Sequence, residues 1–167
     1  MNEQDGQDHV GRGAVLDTNT VLDMLLFDDP AARPLRAALE ARRLQWLGCD
    51  RMLDELRGVL LRPRMGRWAP AAAARAVLDF AGAHMRLHPL PSCAGAPVCR
   101  DPADQVFIDL AWSCGAKWLL TRDKALLRLA RKAGARGLWV GTPSGWSALE
   151  APTGEAIASP APADFGA

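Results

Sequence analysis

The sequence predicts an α/β fold, a three-layer α/β/α sandwich around a short and mainly parallel central sheet. Two observations carry this prediction. Short apolar runs alternate along the chain with longer amphipathic stretches, as strands and crossover helices do in such folds. The chain has 167 residues, of which 49% are hydrophobic, and this is enough to bury one core in a single domain. Helices are therefore expected on both faces of the sheet.

Each predicted strand is a short apolar run that ends at a polar or turn-forming residue. The first strand, Gly13–Asp17, runs through three apolar residues into an acid. The run Leu87–Leu90 is placed at an edge of the sheet, because Pro89 lacks the backbone donor that a central strand needs. The other predicted strands are Leu44–Cys49, Lys117–Thr121 and Gly137–Gly141.

The predicted helices lie between the strands and carry apolar residues three and four positions apart. Asp50 is a predicted N-cap, and Pro70 stands where a first-turn proline is tolerated. Gly115 and Gly134 end the helices that precede them. The predicted helices are Thr20–Phe27, Ala31–Arg43, Asp50–Leu61, Ala71–Met85, Ala103–Cys114 and Asp123–Ala133.

The ordered domain is expected to span residues 13–150. Residues 1–12 mix polar and charged side chains without periodicity, and residues 151–167 are rich in Pro and Ala. Neither stretch has enough apolar residues to build a core, so both are predicted to be disordered tails.

Several features predict a cytoplasmic protein with no membrane partner. Residues Asn2–Asp8 are polar and acidic, unlike a signal peptide, and no apolar run approaches the about 20 residues that cross a bilayer. The four cysteines have no metal-site spacing and are interpreted as free thiols in a reducing compartment. Cys49 and Cys114 are predicted to lie in the core.

Two acids stand at the carboxyl ends of predicted strands. Asp17 ends the first strand, and Asp123 follows the strand Lys117–Thr121. Ligands of open α/β sheets bind at this edge. If these two strands are neighbours in the sheet, the two carboxylates come out side by side.

Helical geometry predicts which of the other acids lie near the apolar face of their helix and which face solvent. Glu55 borders the apolar arc of its helix, whereas Asp54 is expected to face solvent. Asp104 falls in the apolar sector of a first turn, where an ionised carboxylate needs a cation or the helix N-terminus. Asp109 falls in a polar gap of the same helix, and Asp101 precedes that helix and is expected to be more exposed.

Converging carboxylates repel one another, and a hard divalent cation with oxygen ligands removes that repulsion. Mg²⁺ or Mn²⁺ is therefore the predicted ion, and phosphodiester hydrolysis is the predicted reaction. Each acid alone also has a structural explanation: Asp17 and Asp123 as helix N-caps, Glu55 as a surface residue, and Asp104 as a stabiliser of its own helix N-terminus. The functional interpretation depends on the combination.

Several short segments place these acids among characteristic neighbours. In chain order they are Val15–Asn19, Leu53–Leu56, Val59-Leu60, Arg62-Pro63, Arg100–Asp104, Gly115-Ala116, Leu119–Thr121 and Asp123. This ordered set resembles the PIN-domain family of nucleases, and the resemblance covers about residues 13–150. The spacing looks most like the branch of toxin components of toxin–antitoxin systems.

The resemblance implies a small endoribonuclease that cleaves RNA with Mg²⁺ or Mn²⁺. It also implies an antitoxin protein as a partner and a homodimer. Asn19 and Thr121 would be polar supports, and Asp101 would be a further metal ligand in the loop before Asp104. The implied catalytic and metal-binding acids are Asp17, Glu55, Asp104 and Asp123.

RNA binding would have to use local basic patches, because the formal net charge is only +1. One basic run follows Glu55 without any intervening acid and ends at Trp68, and another begins beside Asp123. A solvated helix face explains such runs equally well, and a packing role is common for a tryptophan that could also stack on a base. The candidate RNA contacts are Arg62, Arg64, Arg67, Arg122 and Lys124.

Two other functions remain open at this stage. A haloacid-dehalogenase-like phosphatase also has a strand that ends in an acid, but Asn19 stands where its second acid would be. A catalytically inactive RNA-binding or protein-docking module would keep the fold without turnover.

Overall fold

The computed structural model describes residues 11–90 and 95–150. The predicted tails lie outside the described residues, apart from residues 11 and 12, as does Cys93. The predicted boundaries of the domain therefore remain predictions. Among the described helices, none has the length and apolar character that crossing a bilayer requires.

The centre of the fold is a sheet of five parallel strands in the order β3-β2-β1-β4-β5. The chain winds outward from β1 to β3, then returns to the other side of β1 for β4 and β5, so the strand order switches between β1 and β4. This arrangement confirms the predicted parallel sheet. The strands are β1 Gly13–Leu16, β2 Gln45–Gly48, β3 Met85–Leu87, β4 Trp118–Leu120 and β5 Trp139–Gly141.

Helices cover both faces of the sheet, as an α/β/α sandwich requires. Alternate residues of β1 enter two separate apolar clusters: Leu16 packs in the cluster that contains Trp46 and Val77, and Val15 packs in the cluster that contains Phe107. The helices are α1 Thr18–Leu25, α2 Arg33–Glu40, α3 Asp50–Leu60, α4 Ala71–His84, α5 Gln105–Ser113, α6 Lys124–Leu127, α7 Ala130–Gly134 and α8 Pro143–Glu150.

The observed elements differ from the sequence prediction in several places. The predicted helix Asp123–Ala133 is divided into α6 and α7. Strand β3 begins at Met85 because that residue pairs with Trp46 in β2. Helix α8 was not predicted, although Thr142 accepts a hydrogen bond from the Gly145 amide at 3.2 Å, as N-terminal hydroxyls do.

Two of the cysteine predictions can be compared with the structure. Cys49 is buried, as predicted, and Cys114 is only half-buried. Cys99, which no sequence signal placed in the core, is also buried. All three are free thiols.

Candidate active site

Asp17 stands immediately after β1 and is held by both of its carboxylate oxygens. Oδ1 accepts a hydrogen bond from the Thr20 amide at 2.7 Å, so Asp17 is the N-cap of α1. Oδ2 accepts a hydrogen bond from the Thr121 hydroxyl. The residue is only 4% exposed. Asp17 therefore does cap α1, and its hydrogen bonds fix the carboxylate at the carboxyl edge of the sheet.

Asp123 repeats this arrangement after β4. Its Oδ1 accepts hydrogen bonds from the amides of Ala125 at 2.6 Å and Leu126 at 3.3 Å, so it caps α6. The amide of Asp123 donates to the Thr121 hydroxyl at 2.9 Å. Thr121 thereby connects Asp123 with Asp17.

Strands β1 and β4 are neighbours, as the pairing of Leu16 with Leu120 shows. The condition for placing the two capping acids side by side is therefore met. A second tie was missed by sequence reasoning: the buried Thr20 hydroxyl donates to the Leu120 carbonyl at 3.2 Å and holds α1 against β4. A hydroxyl in the first turn after an acidic strand end is the signal that could have found it.

A cleft of about 210 Å³ brings the four predicted acids together at this edge. Asp17 is buried, Glu55 is an exposed side chain of α3, and Asp104 and Asp123 are half-buried. Asp54, the neighbour of Glu55, faces solvent, as predicted, and it also pairs with Arg57. The residues lining the cleft are Asp17, Thr18, Asn19, Glu55, Val59, Arg62, Asp104, Phe107 and Asp123.

The loop acids occupy two different positions. Asp104 ends the short 3-10 turn Pro102–Asp104, one residue before α5, and its side chain makes no capping hydrogen bond. Helix α5 therefore begins two residues later than predicted. Asp101 caps the turn by accepting from the Ala103 amide at 2.9 Å, is exposed, and does not line the cleft. Of the two, Asp104 is the one that faces the other acids.

The acids of the cleft act on one another electrostatically. The pKa of Asp104 is raised to about 6, first because burial desolvates its carboxylate and then because of the negative charges of neighbouring acids, of which Asp123 has the largest effect. Burial also raises the pKa of Asp17, against the opposing effect of hydrogen bonds from Thr121 and Thr20. The unfavourable charge of these carboxylates is what a bound cation would relieve.

The donor set fits a hard divalent ion, although the acids do not form a closed ligand shell. Within residues 11–90 and 95–150, no three His, Cys, Asp or Glu side chains come close enough together to hold a metal ion. Mg²⁺, however, takes only one or two carboxylates and keeps several of its waters. Asp17 and Asp123, with Glu55 and Asp104 around the same cleft, supply oxygen donors of that kind.

The predicted RNA contacts fall into two groups. Arg122 binds two acids that sequence reasoning missed, through Nη1 to Asp23 at 3.2 Å and through Nη2 to Asp29 at 2.6 Å. These acids are 93 or more positions away in the sequence, so no local pattern could have paired them. The other four predicted contacts, Arg62, Arg64, Arg67 and Lys124, are exposed and form no ion pair with any described side chain.

Gln105 is a further residue that sequence reasoning missed. Its Oε1 accepts from the Cys99 amide at 2.6 Å, and its Nε2 donates to the Pro97 carbonyl at 3.0 Å and to Asp109 at 2.8 Å. Asp109 is buried, so the polar gap predicted around it contains a hydrogen-bond partner rather than solvent. Gln105 thus ties the loop that leads to Asp104 onto α5.

Comparison with known families gives one finding. The family model described as PIN domain matches residues 13–125, which span β1 to the start of α6 and include all four acids of the cleft. No curated protein matches the sequence.

Proposed function

The chain belongs to the PIN-domain family, and we propose that it acts as a metal-dependent endoribonuclease. Members of this family are typically nucleases. The observation that carries the proposal is the meeting of Asp17, Glu55, Asp104 and Asp123 in one cleft at the switch between β1 and β4. Crevices at such switch points are the usual ligand sites of open α/β sheets.

The residues of the cleft have separate roles in this proposal. Of Asp17, Glu55, Asp104 and Asp123, one or two would bind Mg²⁺ or Mn²⁺ directly and the others through its waters, because no three of the described acids lie close enough together to share an ion. When bound, such an ion activates water and stabilises charge on a phosphoryl group. Thr121 orients Asp17 and Asp123 through its hydroxyl.

The remaining candidate residues would act on the RNA or beside the metal ligands. Arg62 lines the cleft and would bind a phosphate of the RNA, and Asn19 lines it as an exposed polar side chain. Asp101 would act only indirectly, because it lies outside the cleft but adds to the negative charge felt by Asp104.

We also propose that the protein is the toxin of a toxin–antitoxin pair, that it works in the cytoplasm, and that an antitoxin and a second copy of the chain are its partners. The support is the motif spacing, which resembles that branch of the family. Growth arrest on expression of the wild type, but not of Asp17→Asn, would support the toxin role. Unimpaired growth at equal levels of both proteins would refute it.

The direct test is cleavage of RNA by the full chain with Mg²⁺, with Mn²⁺ and with EDTA. We expect cleavage with either ion, none with EDTA, and near-total loss for Asp17→Asn. Because Asp17 also caps α1, circular dichroism must show that this variant is folded.

The alternatives predict different outcomes in the same assay. RNA retention without cleavage at any metal concentration would support an inactive binding module. Hydrolysis of p-nitrophenyl phosphate without RNA cleavage would support a phosphatase.

A further inference from the structure

Arg122 separates Thr121 from Asp123 at the carboxyl end of β4. Both neighbours belong to the candidate site, but the side chain of Arg122 does not line the cleft. Its Nη1 lies 3.2 Å from Asp23 and its Nη2 lies 2.6 Å from Asp29, and neither of these acids lines the cleft. The backbone of Arg122 is therefore part of the site, whereas its charge is bound outside it.

Both partners of Arg122 are held by the chain around them. Asp29 accepts from the Ala31 amide through Oδ1 at 2.9 Å and from Arg122 through Oδ2. Its own amide donates to the Asp23 carbonyl at 2.9 Å. Asp23 belongs to α1, which is the helix that Asp17 caps. The two ion pairs thus attach the turn after β4 to this helix and to the residues that follow it.

The two acids are well placed to hold a charge firmly. The side chain of Asp23 is 21% exposed and that of Asp29 is 25% exposed, so water screens them less than it screens an open surface pair. Burial raises the pKa of Asp23, Arg122 opposes that rise, and the charges of Asp29 and Asp17 add to it. The charge of Asp17 therefore reaches these ion pairs, which places them close to the cleft.

Lys124, on the other side of Asp123, differs from Arg122 although both flank the same acid. Lys124 is exposed and forms no ion pair with any side chain that the structure describes. A phosphate of RNA approaching Arg122 would have to compete with two carboxylates, whereas at Lys124 it would meet no described competitor. The two cations are therefore expected to have different roles.

We propose that Arg122 is a positioning residue of the site. Its ion pairs with Asp23 and Asp29 hold the turn after β4 against α1. They thereby fix the carboxylate of Asp123 relative to that of Asp17, where a divalent cation would bind. The planar guanidinium suits this task, because its fixed fork of N–H groups can bind two carboxylates at once. This inference rests on the proposed function and deepens it.

The first test is Mn²⁺ binding by the full chain, with the free ion measured by electron paramagnetic resonance. Arg122→Gln removes a positive charge near the acids, and Asp29→Asn removes a negative one. If charge alone mattered, Mn²⁺ would bind more tightly to the first variant and more weakly to the second. A positioning role instead predicts weaker binding in both, by at least about threefold.

Two further variants separate geometry from charge. The double variant Arg122→Gln/Asp29→Asn has the net charge of the wild type, so a charge effect alone would restore wild-type binding. We expect it to bind Mn²⁺ as weakly as the single variants do, because all of them break the same contact. Arg122→Lys keeps the charge but loses the fork, and it should also bind more weakly. It carries the test if Arg122→Gln does not fold.

The matched control is an exposed ion pair on α4. Arg75 and Asp79 lie 2.8 Å apart, with side chains 77% and 63% exposed, and neither lines the cleft. Arg75→Gln should bind Mn²⁺ as the wild type does. Melting temperatures of all variants show which of them are folded.

Steady-state cleavage distinguishes Arg122 from Lys124. Loss of a positioning residue should lower kcat, whereas loss of a phosphate contact should raise KM. At saturating Mn²⁺ we expect Arg122→Gln to lower kcat at least about tenfold with little change in KM. Lys124→Gln should raise KM and leave kcat nearly unchanged.

The outcomes separate this inference from the proposed function. If the wild type binds Mn²⁺ and Arg122→Gln binds it equally or more tightly, the inference alone is overturned. Wild-type binding by the double variant or by Arg122→Lys would also overturn it, as would a rise in KM alone for Arg122→Gln, which would identify an RNA contact. A wild type that neither binds Mn²⁺ nor cleaves RNA would refute the proposed function and the inference with it.

Discussion

At the scale of single residues, the hydroxyl of Thr121 connects the two capping acids of the candidate site. It donates to Asp17, accepts from the Asp123 amide, and is completely buried. One side chain therefore fixes both capping acids relative to each other. Side chains that orient metal-binding carboxylates commonly matter almost as much as the ligands do.

Replacing Thr121 by Val should remove both hydrogen bonds while keeping the shape of the side chain. We expect a loss of about 1–3 kcal/mol in the free energy of unfolding, because a buried carboxylate oxygen and a backbone amide lose their partner. Activity should fall by about 10- to 100-fold. Urea denaturation and initial rates of RNA cleavage measure the two effects.

Thr121→Ser is the control for this change, because it keeps the hydroxyl and loses only a methyl group. It should remain within about tenfold of wild-type activity. Equal losses in the Ser and Val variants would show that the hydrogen bonds are not what matters at this position.

Sequence reasoning was most effective for residues whose role is local. Asp17 and Asp123 each cap the helix that follows them, and strand-end logic placed them at one edge. Asp23 and Asp29 were missed because their partner, Arg122, comes from a distant segment. Their contact exists only because α1 and the turn after β4 meet in the folded chain.

At the scale of elements, Gln105 controls how the loop before α5 is attached. Its amide group bonds to two backbone groups of the loop, at Pro97 and Cys99, and to Asp109 one turn further along the helix. The loop continues into the turn that carries Asp104. The position of that acid therefore depends on a residue that does not line the cleft.

Gln105→Glu should destabilise the protein, although the two side chains are nearly the same size. Glutamate can still accept from the Cys99 amide, but it cannot donate to Pro97 and it places a second negative charge beside Asp109. We expect a lower melting temperature than that of Gln105→Ala at pH 7, with a smaller difference at pH 4, where about half of ordinary carboxyls are protonated. Differential scanning fluorimetry at both pH values tests this, and a Glu variant as stable as the wild type at pH 7 would contradict it.

Helix boundaries were the weakest part of the sequence prediction for a similar reason. The stretch Asp123–Ala133 has helical periodicity throughout, yet it is divided into α6 and α7. Met85 was predicted as the last residue of the helix Ala71–Met85. It belongs to β3 instead, because it pairs with a residue of β2. The second difference comes from a tertiary contact that overrides local preference.

At the scale of the whole molecule, the sheet could be predicted as parallel but its order could not. Five short apolar runs indicate the strands, whereas their order depends on which helices cross to which face. That order matters for the site, because the switch between β1 and β4 is where the cleft lies. The sequence therefore indicated the acids, and the topology brings them together.

In the absence of a metal ion, the close approach of these acids should lower the free energy of unfolding at neutral pH. The pKa of Asp104 rises from its ordinary value of 3.8 to about 6 in the folded chain. Its favourable contribution to folding is thus fully present below pH 3.8 and is lost as the pH rises through about 6. Asp104→Asn should remove this dependence, so that the variant gains stability over the wild type between these pH values.

Urea denaturation in EDTA across this pH range measures the effect. Asp79→Asn is the control, because Asp79 is exposed on α4 and pairs with Arg75 away from the cleft. A constant difference in stability between the wild type and Asp104→Asn at every pH would contradict the assigned cause.

The claim that the cleft acids hold a divalent cation is tested most directly by titrating the full chain with Mn²⁺ and measuring the free ion by electron paramagnetic resonance. Glu55→Gln and Asp54→Asn form a matched pair, since both residues are exposed acids on α3 and only Glu55 lines the cleft. We expect saturable Mn²⁺ binding by the wild type and Asp54→Asn, and binding weakened at least about tenfold in Glu55→Gln. Equal binding by all three proteins, or none by the wild type, would contradict it.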